Sequence, residues 1–384
     1  MSSQFLVVGA GLAGASTAWR LAERGFSVTL VERDVPASEH GSSHGSARIF
    51  RYAYPERVYV DLVAATEPGW AELSALHGSD LVRRCGALDF GAQRDPHGLA
   101  AVLTDAGVEH ELLPRDQARD RWPHIAFDTD VLLHRAGGVL DAESTVTTMV
   151  AAARARGAEV LTGWPLQRLE RTGSGSASGF TAHAADGRTV SAERVVVAAG
   201  GFLPDLLTDL ALPAGFLGAF PPLEVKEENA FHFPYRDDAP AQDWPTLIHK
   251  RDDICVYALP GGRDAQFHGQ KVAEYDAGRV IRSAAERTGR IDPANRGRVV
   301  EHVRRFLPGL VPEPYAETTC LFTNTPTEDF VVDEADGVTV VSPCSGHGAK
   351  FAPVLGEVAA DVALGTGSVP DRFRVGGRVG SSRA

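Results

Sequence analysis

The sequence predicts an α/β protein in which two domains are interleaved along the chain. First, residues 5–31 have the pattern of a strand, a glycine turn, a helix and a second strand. Second, residues 219–323 are rich in strand patterns and contain one helix pattern near 298–306. Third, the chain then returns to a strand at 338–341 and a helix from residue 354 onward, an order that fits two interleaved domains.

The remaining segments can be assigned to one of these domains. We expect residues 1–80, 136–218 and 324–384 to form the domain that begins with the strand–helix–strand unit. Residues 81–135 and 219–323 are expected to form a second domain on a mixed, largely antiparallel sheet. The other predicted elements are helices at 58–76 and 144–155, strands at 86–90 and 159–161, a series of strands through 166–199 with a hairpin loop at 173–179, and a disordered end from residue 376.

Composition excludes several classes of protein. The chain has 384 residues, of which 43% are hydrophobic, so it can bury a full core. Its net charge of −12 disfavours nucleic acid as a partner, because that affinity comes mainly from clustered basic residues. The start lacks a basic region followed by a long apolar stretch, and no segment has a membrane-spanning length, so we expect a cytoplasmic protein that does not enter the membrane.

Cysteine and lysine are both scarce. The four cysteines are scattered without a C-x-x-C pair, so neither a metal site nor a disulfide framework is predicted. The lysines are four among 38 basic residues, which shows that composition strongly prefers arginine. Each lysine is therefore a candidate for a specific role. They are Lys226, Lys250, Lys271 and Lys350.

The turn after the first strand has the spacing G-x-G-x-x-G, with glycines at Gly9, Gly11 and Gly14. Glycines permit a tight turn there and let the amides of a helix N-terminus approach a pyrophosphate. Glu32 ends the second strand, where its carboxylate can accept hydrogen bonds from ribose hydroxyls. The combination predicts a Rossmann-like dinucleotide site, and the alternative is merely a tight turn between strand and helix.

The choice between FAD and NAD depends on later segments. Residues 195–201 form an apolar strand that ends in Gly200 and Gly201, which suits a second close approach to a dinucleotide or an ordinary buried strand. The strand at 338–341 precedes glycine-rich residues 345–348 and a helix, which would bring a positive helix end to an electron-rich ring.

Residues 41–45 also match the G-x-S-x-G pattern of a hydrolase nucleophile. That serine follows a buried strand directly in hydrolases, whereas a polar stretch at 33–40 precedes it here. We therefore reject a hydrolase.

Three motifs occur together in this chain. They are Gly-Ser-Ser-His-Gly-Ser-Ala-Arg-Ile-Phe-Arg at 41–51, Cys-Leu-Phe-Thr-Asn-Thr at 320–325 and Ser-Gly-His-Gly-Ala-Lys-Phe at 345–351. The chain thereby resembles the monomeric sarcosine oxidase and N-methyltryptophan oxidase group of D-amino-acid-oxidase-like flavoproteins. The similarity runs almost end to end, including residues 86–91 and 121–123, and it implies a two-domain flavoprotein that binds FAD.

The resemblance implies roles in cofactor binding. Cys320 matches a cysteine that carries FAD through a thioether at the 8α carbon, whereas an isolated cysteine would be interpreted as a small buried residue. His44 and Arg48 are similar to residues that line the flavin, where positive charge stabilises the reduced ring, although phosphate or surface contacts are the alternative. Further cofactor-binding residues are expected at Ser43, Gly200, Gly346, His347, Gly348 and Lys350.

The resemblance also implies a substrate pocket. Arg51 and Lys350 match positions that hold the substrate carboxylate, a use that suits a planar fork and a compact charge. Lys271 aligns with a lysine near flavin N5 that promotes the reaction with oxygen, and Tyr257 with a pocket tyrosine. Two positions depart from the family pattern: Tyr275 replaces a histidine usual in sarcosine oxidase, and Ala349 replaces a bulky aromatic residue. The pocket is therefore expected to be reshaped, and we do not predict that sarcosine is the substrate.

The functional hypothesis is oxidation of the carbon–nitrogen bond of a secondary amino acid by hydride transfer to FAD. Oxygen would then give hydrogen peroxide, and the imine product would hydrolyse. The expected partners are an amino acid and O2, and the expected state is a monomer. The alternatives are an oxidase of cyclic amino acids of the proline, pipecolate or piperideine-carboxylate type, a dehydrogenase that uses a carrier protein, and a flavin-binding protein without catalysis.

Overall fold

The structure is a computed structural model that describes residues 2–173, 179–237 and 244–377. In chain order the α-helices are α1 (Leu12–Glu23), α2 (Arg57–His77), α3 (Pro96–Asp105), α4 (Arg115–Arg121), α5 (Ala142–Ala155), α6 (Leu203–Leu206), α7 (Ala214–Ala219), α8 (Pro293–Phe306) and α9 (Ala352–Leu364). Short 3₁₀ helices lie at Ala92–Arg94, Gly200–Phe202, Leu207–Asp209, Arg263–Ala265, Ala284–Glu286, Gly348–Phe351 and Asp371–Phe373.

The strands belong to three sheets. They are β1 (Ser2–Val8), β2 (Val28–Val31), β3 (Arg48–Phe50), β4 (Val82–Arg84), β5 (Ala87–Phe90), β6 (Glu111–Leu113), β7 (Val131–His134), β8 (Gly138–Leu140), β9 (Glu159–Leu161), β10 (Leu166–Thr172), β11 (Gly179–Ala184), β12 (Thr189–Val197), β13 (Glu224–Pro234), β14 (Thr246–Lys250), β15 (Cys255–Pro260), β16 (Gly269–Glu274), β17 (Arg279–Ile281), β18 (Ala316–Asn324), β19 (Val331–Ala335) and β20 (Val338–Ser342).

The first sheet has the strand order β10-β11-β12-β1-β2-β9, and β20 joins it beside β12. Strand β1 is parallel to both neighbours and is buried on both faces. Phe5 and Val7 belong to the hydrophobic core that contains α1, whereas Leu6 and Val8 belong to the core on the opposite face. This two-sided burial explains why the opening strand is a continuous apolar run.

The second sheet has the order β17-β13-β16-β15-β14-β5-β7-β6, with β18 paired to β13. Strands β14 and β5 are parallel, and the other neighbouring pairs are antiparallel. Helix α8 packs on this sheet through Val299 and Val303. The mixed, largely antiparallel sheet and the α/β class predicted from the sequence are confirmed.

The third sheet, of order β3-β8-β4, is small but combines segments assigned to different domains. Strands β3 and β8 come from the segments expected in the first domain, and β4 from a segment expected in the second. The domain boundaries themselves stay a prediction.

Most predicted elements match within a few residues, but α8 begins earlier than expected. It starts at Pro293 because Asp292 caps it, accepting a hydrogen bond from the Ala294 amide, and proline suits the first helical position. The apolar spacing used for the prediction begins only at Val299. Most of the predicted hairpin loop at 173–179 and of the predicted disordered end lies outside the described residues. Within the described part of the chain, no helix has both the length and the apolar character needed to cross a membrane.

A buried ion pair lies between the end of β5 and the following turn. The Arg94 Nε atom is 2.6 Å from Asp89 Oδ1, and His134 Nε2 is 3.4 Å from Asp89 Oδ2. Burial alone would raise the pKa of Asp89, but the Arg94 charge and His134 lower this pKa to about 2. Arg94 also donates to the Ala53 carbonyl at 2.8 Å, so it links β5 to the segment after β3.

We expect Arg94→Met to reduce the free energy of unfolding by about 3–5 kcal/mol, because it removes the guanidinium partner of the buried Asp89 carboxylate and leaves only His134 beside it. Urea unfolding followed by circular dichroism measures the change. Arg57→Met is the control, since Arg57 pairs with Asp61 on the exposed surface and its loss should leave the unfolding midpoint nearly unchanged. Equal midpoints for the wild type and Arg94→Met would show that the pair does not stabilise the fold.

Candidate active site

A cavity of about 720 Å3 is lined by residues of both large sheets. Every predicted site residue except Gly14 and His44 lines it, although the segments that supply them are distant in sequence. The lining site residues are Gly9, Gly11, Glu32, Ser43, Arg48, Arg51, Gly200, Tyr257, Lys271, Tyr275, Cys320, Gly346, His347, Gly348 and Lys350. Among the residues that the structure describes, no group of His, Cys, Asp and Glu has the arrangement of a metal site.

The glycine turn between β1 and α1 has no room for side chains. Gly9 has a φ of +97°, and a Cβ atom there would lie 2.5 Å from the Ala198 carbonyl oxygen at the end of β12. A Cβ on Gly14 would lie 1.8 Å from the Gly9 carbonyl oxygen, which explains why Gly14 packs behind the turn instead of lining the cavity. The Leu12 amide donates to Ser43 Oγ at 3.0 Å and so joins the turn to the first motif loop.

Glu32 follows β2 and closes this part of the cavity. Its carboxylate accepts hydrogen bonds from the Ala10 amide at 2.6 Å and from the Asp34 amide at 3.0 Å. Burial raises the pKa of Glu32, while the two amides act in the opposite direction. Each oxygen keeps a further lone pair, so the group can also accept hydroxyl hydrogen bonds from a ribose.

Cys320 lies on β18 near three basic side chains. Arg48 Nη2 is 3.7 Å from its sulfur, and His44 and Lys271 lie near the thiol. Burial alone would raise the pKa of Cys320, but these three groups lower it to about 5. The thiolate is the nucleophilic form of cysteine, so the site favours attack by this sulfur at neutral pH. His44 interacts with the Cys320 thiol but does not line the cavity, and its predicted place at the flavin stays a prediction.

The Arg48 guanidinium contacts both the motif loop and Cys320. Its guanidinium donates to the carbonyl oxygens of Ala47 at 2.9 Å, Ser42 at 3.1 Å and His44 at 2.6 Å, which fixes the motif loop. The same group lines the cavity and faces Cys320. The side chain is thus turned toward the cavity, and its role at the flavin stays a prediction.

Lys271 is a buried cation on β16, opposite His232 of β13. Burial and the charge of Arg48 lower its pKa to about 8, although Cys320 and Asp264 act in the opposite direction. Tyr257 on β15 lines the same face, and burial raises the pKa of its hydroxyl. A cation held in a buried wall can stabilise negative charge that develops beside it.

Lys350 is oriented by a hydrogen-bond chain that sequence reasoning missed. Its Nζ donates to the Tyr54 hydroxyl at 2.8 Å and to the His347 carbonyl at 2.6 Å. The Tyr54 oxygen is 3.1 Å from His347 Nδ1, and His347 Nε2 is 3.0 Å from the Glu328 carbonyl oxygen. Because a carbonyl can only accept, His347 carries its proton on Nε2 and Tyr54 donates to Nδ1. The protonated ammonium has a third N–H, which remains for a ligand.

The pKa values agree with this direction of the chain. Burial and the neighbouring Lys350 charge lower the pKa of His347 to about 3, so its imidazole is neutral. Burial raises the pKa of Tyr54 to about 12, and burial together with Arg51 lowers the pKa of Lys350. Arg51 lies over the Tyr54 ring, with the guanidinium carbon 4.2 Å from the ring centroid, and donates to the Ala53 carbonyl. Arg51 and Lys350 therefore both contact Tyr54.

Tyr275 forms a further wall of the cavity. Its hydroxyl donates to the Ser345 carbonyl at 3.3 Å, and its ring centroid is 5.5 Å from that of Phe322. The Glu328 carboxyl lies beside the same hydroxyl, and burial raises the pKa of this carboxyl. Lys250 and Glu328 line the cavity as well, and neither was singled out as a site residue from the sequence.

A family model described as FAD dependent oxidoreductase matches residues 4–362, which is most of the chain. This chain belongs to the FAD-dependent oxidoreductase family. The N-methyl-L-tryptophan oxidase of Yersinia pestis (strain Pestoides F) is 30% identical over 370 residues, covering 94% of each protein. The family resemblance drawn from the three motifs is thereby confirmed, as are the enzyme class and FAD as cofactor.

Solved structures of amino-acid-oxidising enzymes share the fold of this oxidoreductase. The open form of NikD, an unusual amino acid oxidase essential for nikkomycin biosynthesis, superposes with a TM-score of 0.84 over 100% of both chains at 24% identity. The L-proline dehydrogenase from P. horikoshii gives a TM-score of 0.80 over 97% of both chains at 18% identity. At these identities the likeness shows the fold.

The residues around the cavity fit FAD. The turn at Gly9 and Gly14 is too tight for any Cβ atom, which is the close approach that a dinucleotide phosphate site requires. The Glu32 carboxylate lines the cavity with lone pairs available to a ribose, and the cations Arg48 and Lys271 suit an electron-rich ring. This oxidoreductase thus contains the donors and acceptors that the cofactor needs.

Proposed function

We propose that this oxidoreductase oxidises the carbon–nitrogen bond of a secondary amino acid, such as an N-methyl amino acid, and uses O2 as the electron acceptor. The observation that carries the proposal is the placement of two cations, Arg51 and Lys350, on Tyr54 in the same cavity as the buried cation Lys271. The 30% identical relative is named for the oxidation of N-methyl-L-tryptophan, which supports the same substrate class.

The substrate carboxylate would bind between Arg51 and Lys350. The guanidinium fork can make two parallel hydrogen bonds, and the unused N–H of Lys350 can make a third. Because Tyr54 and His347 already orient Lys350, little side-chain freedom is lost when the substrate binds. Tyr257 and Tyr275 then form walls around the rest of the amino acid.

Bound FAD would supply the redox chemistry, accepting a hydride from the carbon next to the nitrogen and passing the electrons to O2. The cations around the pocket disfavour a protonated substrate amine, so the neutral amine that can form an iminium is favoured. We assign no dedicated base. Lys271 would stabilise the negative charge that develops on oxygen, and water would hydrolyse the imine product outside the pocket.

We assign cofactor binding to the glycine turn, Glu32, Ser43 and Cys320. Gly200, Gly346 and Gly348 would allow close backbone approach, and His347 and Lys350 would lie at the ring. We further propose that FAD is bound covalently to Cys320, and that the protein acts as a monomer in the cytoplasm on an amino acid and O2.

Product analysis tests the proposed reaction. Incubation with an N-methyl amino acid in air is expected to yield formaldehyde, hydrogen peroxide and the demethylated amino acid in a 1:1:1 ratio. Peroxide without formaldehyde from proline or pipecolate would replace N-methyl amino acids by cyclic secondary amino acids as the substrate class. Dye reduction without peroxide would contradict the use of O2.

Cys320→Ser tests the covalent link. The variant is expected to release its flavin into the supernatant when it is denatured with acid, whereas the wild type should keep the yellow colour in the pellet. Cys344→Ser is the matched control: this thiol also lines the cavity, but burial raises its pKa and it is a poor nucleophile. Flavin that stays in the Cys320→Ser pellet would place the attachment elsewhere.

A further inference from the structure

Lys250 lies in the cavity wall, and the proposed reaction assigns no role to it. The chain has four lysines, and three of them, Lys250, Lys271 and Lys350, line this cavity. Lys350 is held by hydrogen bonds to Tyr54 and His347. By contrast, within the described part of the chain, the Lys250 ammonium has no hydrogen-bond or salt-bridge partner.

Strand register places Lys250 in the substrate part of the cavity. It ends β14 opposite Cys255 of β15, while Ile248, two residues earlier, lies opposite Tyr257. Side chains two residues apart on a strand share a face, and all four residues line the cavity. Lys271 of β16 pairs with Leu259 of β15. Leu259 lies four residues beyond Cys255, so Lys250 and Lys271 are separated by about 13 Å along the strand direction.

The Cys255 thiol shows which charges surround Lys250. Burial raises the pKa of this thiol, and the charges that act against burial are those of Lys250, Arg94 and Arg51. Lys250 and Arg51 both line the cavity and both act on this thiol, and we assign the substrate carboxylate to Arg51. A second anionic group on that substrate would be within reach of the flexible lysine side chain.

The other charged groups nearby already have partners. Arg94 is bound to Asp89 and to the Ala53 carbonyl. Glu328 also lines the cavity, but it makes no salt bridge with Lys250; its carboxyl lies beside the Tyr275 hydroxyl, and burial raises its pKa while the charges of Lys250 and Arg51 act in the opposite direction. Lys250 thus remains as the cation available to a ligand.

We infer that Lys250 binds a second carboxylate of the substrate, so that the preferred substrates are N-substituted amino dicarboxylic acids. The inference rests on the proposed function: Arg51 and Lys350 hold the α-carboxylate, and Lys250 holds the distal one. N-methyl-L-glutamate has this chemistry, and N-methyl-L-glutamine has the same shape without the distal charge.

The test compares the affinities of these two substrates, which are obtained from the concentration dependence of the rate of anaerobic flavin bleaching. The wild type is expected to bind N-methyl-L-glutamate about 10- to 100-fold more tightly than N-methyl-L-glutamine, and Lys250→Met is expected to abolish the difference by weakening the glutamate alone. Lys226→Met is the control, because Lys226 is paired with Glu224 and Asp276 and does not line the cavity. Equal binding of both substrates by the wild type, or an unchanged ratio in Lys250→Met, overturns the inference. A preference for N-methyl-L-lysine overturns it too and transfers the role to Glu328.

Binding without turnover separates this inference from the proposed function. Glutarate and butyrate cannot be oxidised at a carbon–nitrogen bond, and the shift of the flavin spectrum reports their binding. Glutarate is expected to bind more tightly than butyrate, and Lys250→Met should remove the difference. If glutarate behaves so while no N-methyl amino acid bleaches the flavin, the Lys250 site stands and the proposed function fails. If N-methyl amino acids bleach the flavin regardless of distal charge, the function stands and the inference fails.

Discussion

Replacing Lys271 with methionine is expected to slow reoxidation by O2 by about 100- to 1000-fold, while anaerobic reduction by substrate changes only a few-fold. Methionine keeps the length and much of the volume of the side chain but removes the buried charge that would stabilise electron-rich oxygen. Stopped-flow absorbance at a fixed O2 concentration measures both half-reactions separately. Lys226→Met, which removes a paired lysine outside the cavity, is expected to leave both rates unchanged.

The pH dependence of reoxidation is a second, independent test of the role of Lys271. The pKa of Lys271 is lowered to about 8, so its cation is fully present below that pH and is lost as the pH rises through it. In the wild type the reoxidation rate is therefore expected to be constant below pH about 8 and to fall above it, whereas Lys271→Met should show no such fall. A fast, pH-independent reoxidation in the variant would exclude Lys271 from the oxygen reaction.

Arg51→Gln is expected to lower kcat/KM by roughly 30- to 5000-fold, because loss of one partner of a buried charge pair costs about 2–5 kcal/mol. The glutamine can still donate one hydrogen bond but carries no charge and no fork. Arg51→Lys, which keeps the charge and loses the fork, should fall between the wild type and Arg51→Gln.

A substrate without the carboxylate shows whether Arg51 contacts that group directly. The amide of the same N-methyl amino acid should react poorly with the wild type, and Arg51→Gln should reduce its kcat/KM little further, as a double-mutant cycle requires for a direct contact. If Arg51→Gln reduces the rates for the acid and the amide equally, Arg51 does not bind the carboxylate.

Much of the fold could be predicted because its signals are local. The turn at Gly9 and Gly14 lies directly between one strand and one helix, so a short segment contains the whole pattern. The apolar run at 5–8 indicated a strand, and the structure shows that this strand is buried on both faces. Cys320 and Lys350 belong to short motifs, and the structure brings those motifs to one cavity.

The missed features join residues that are far apart in the chain. Tyr54 and His347 are 293 positions apart, and neither residue alone indicates a hydrogen bond between them. Lys250 was noticed as one of few lysines, but its place beside Cys255 depends on the pairing of β14 with β15. The location of His44 beside the Cys320 thiol depends on how Arg48 holds the loop, which local periodicity does not encode.

The central claim is that the cavity binds an N-methyl amino acid for oxidation, and anaerobic titration of the flavin absorbance tests it most directly. N-methyl-L-alanine, L-alanine and L-proline would be added separately to purified protein without oxygen. We expect bleaching by N-methyl-L-alanine, little by the other two, and return of the yellow colour when air is admitted. No bleaching by any N-methyl amino acid, including the dicarboxylic ones, would contradict the account.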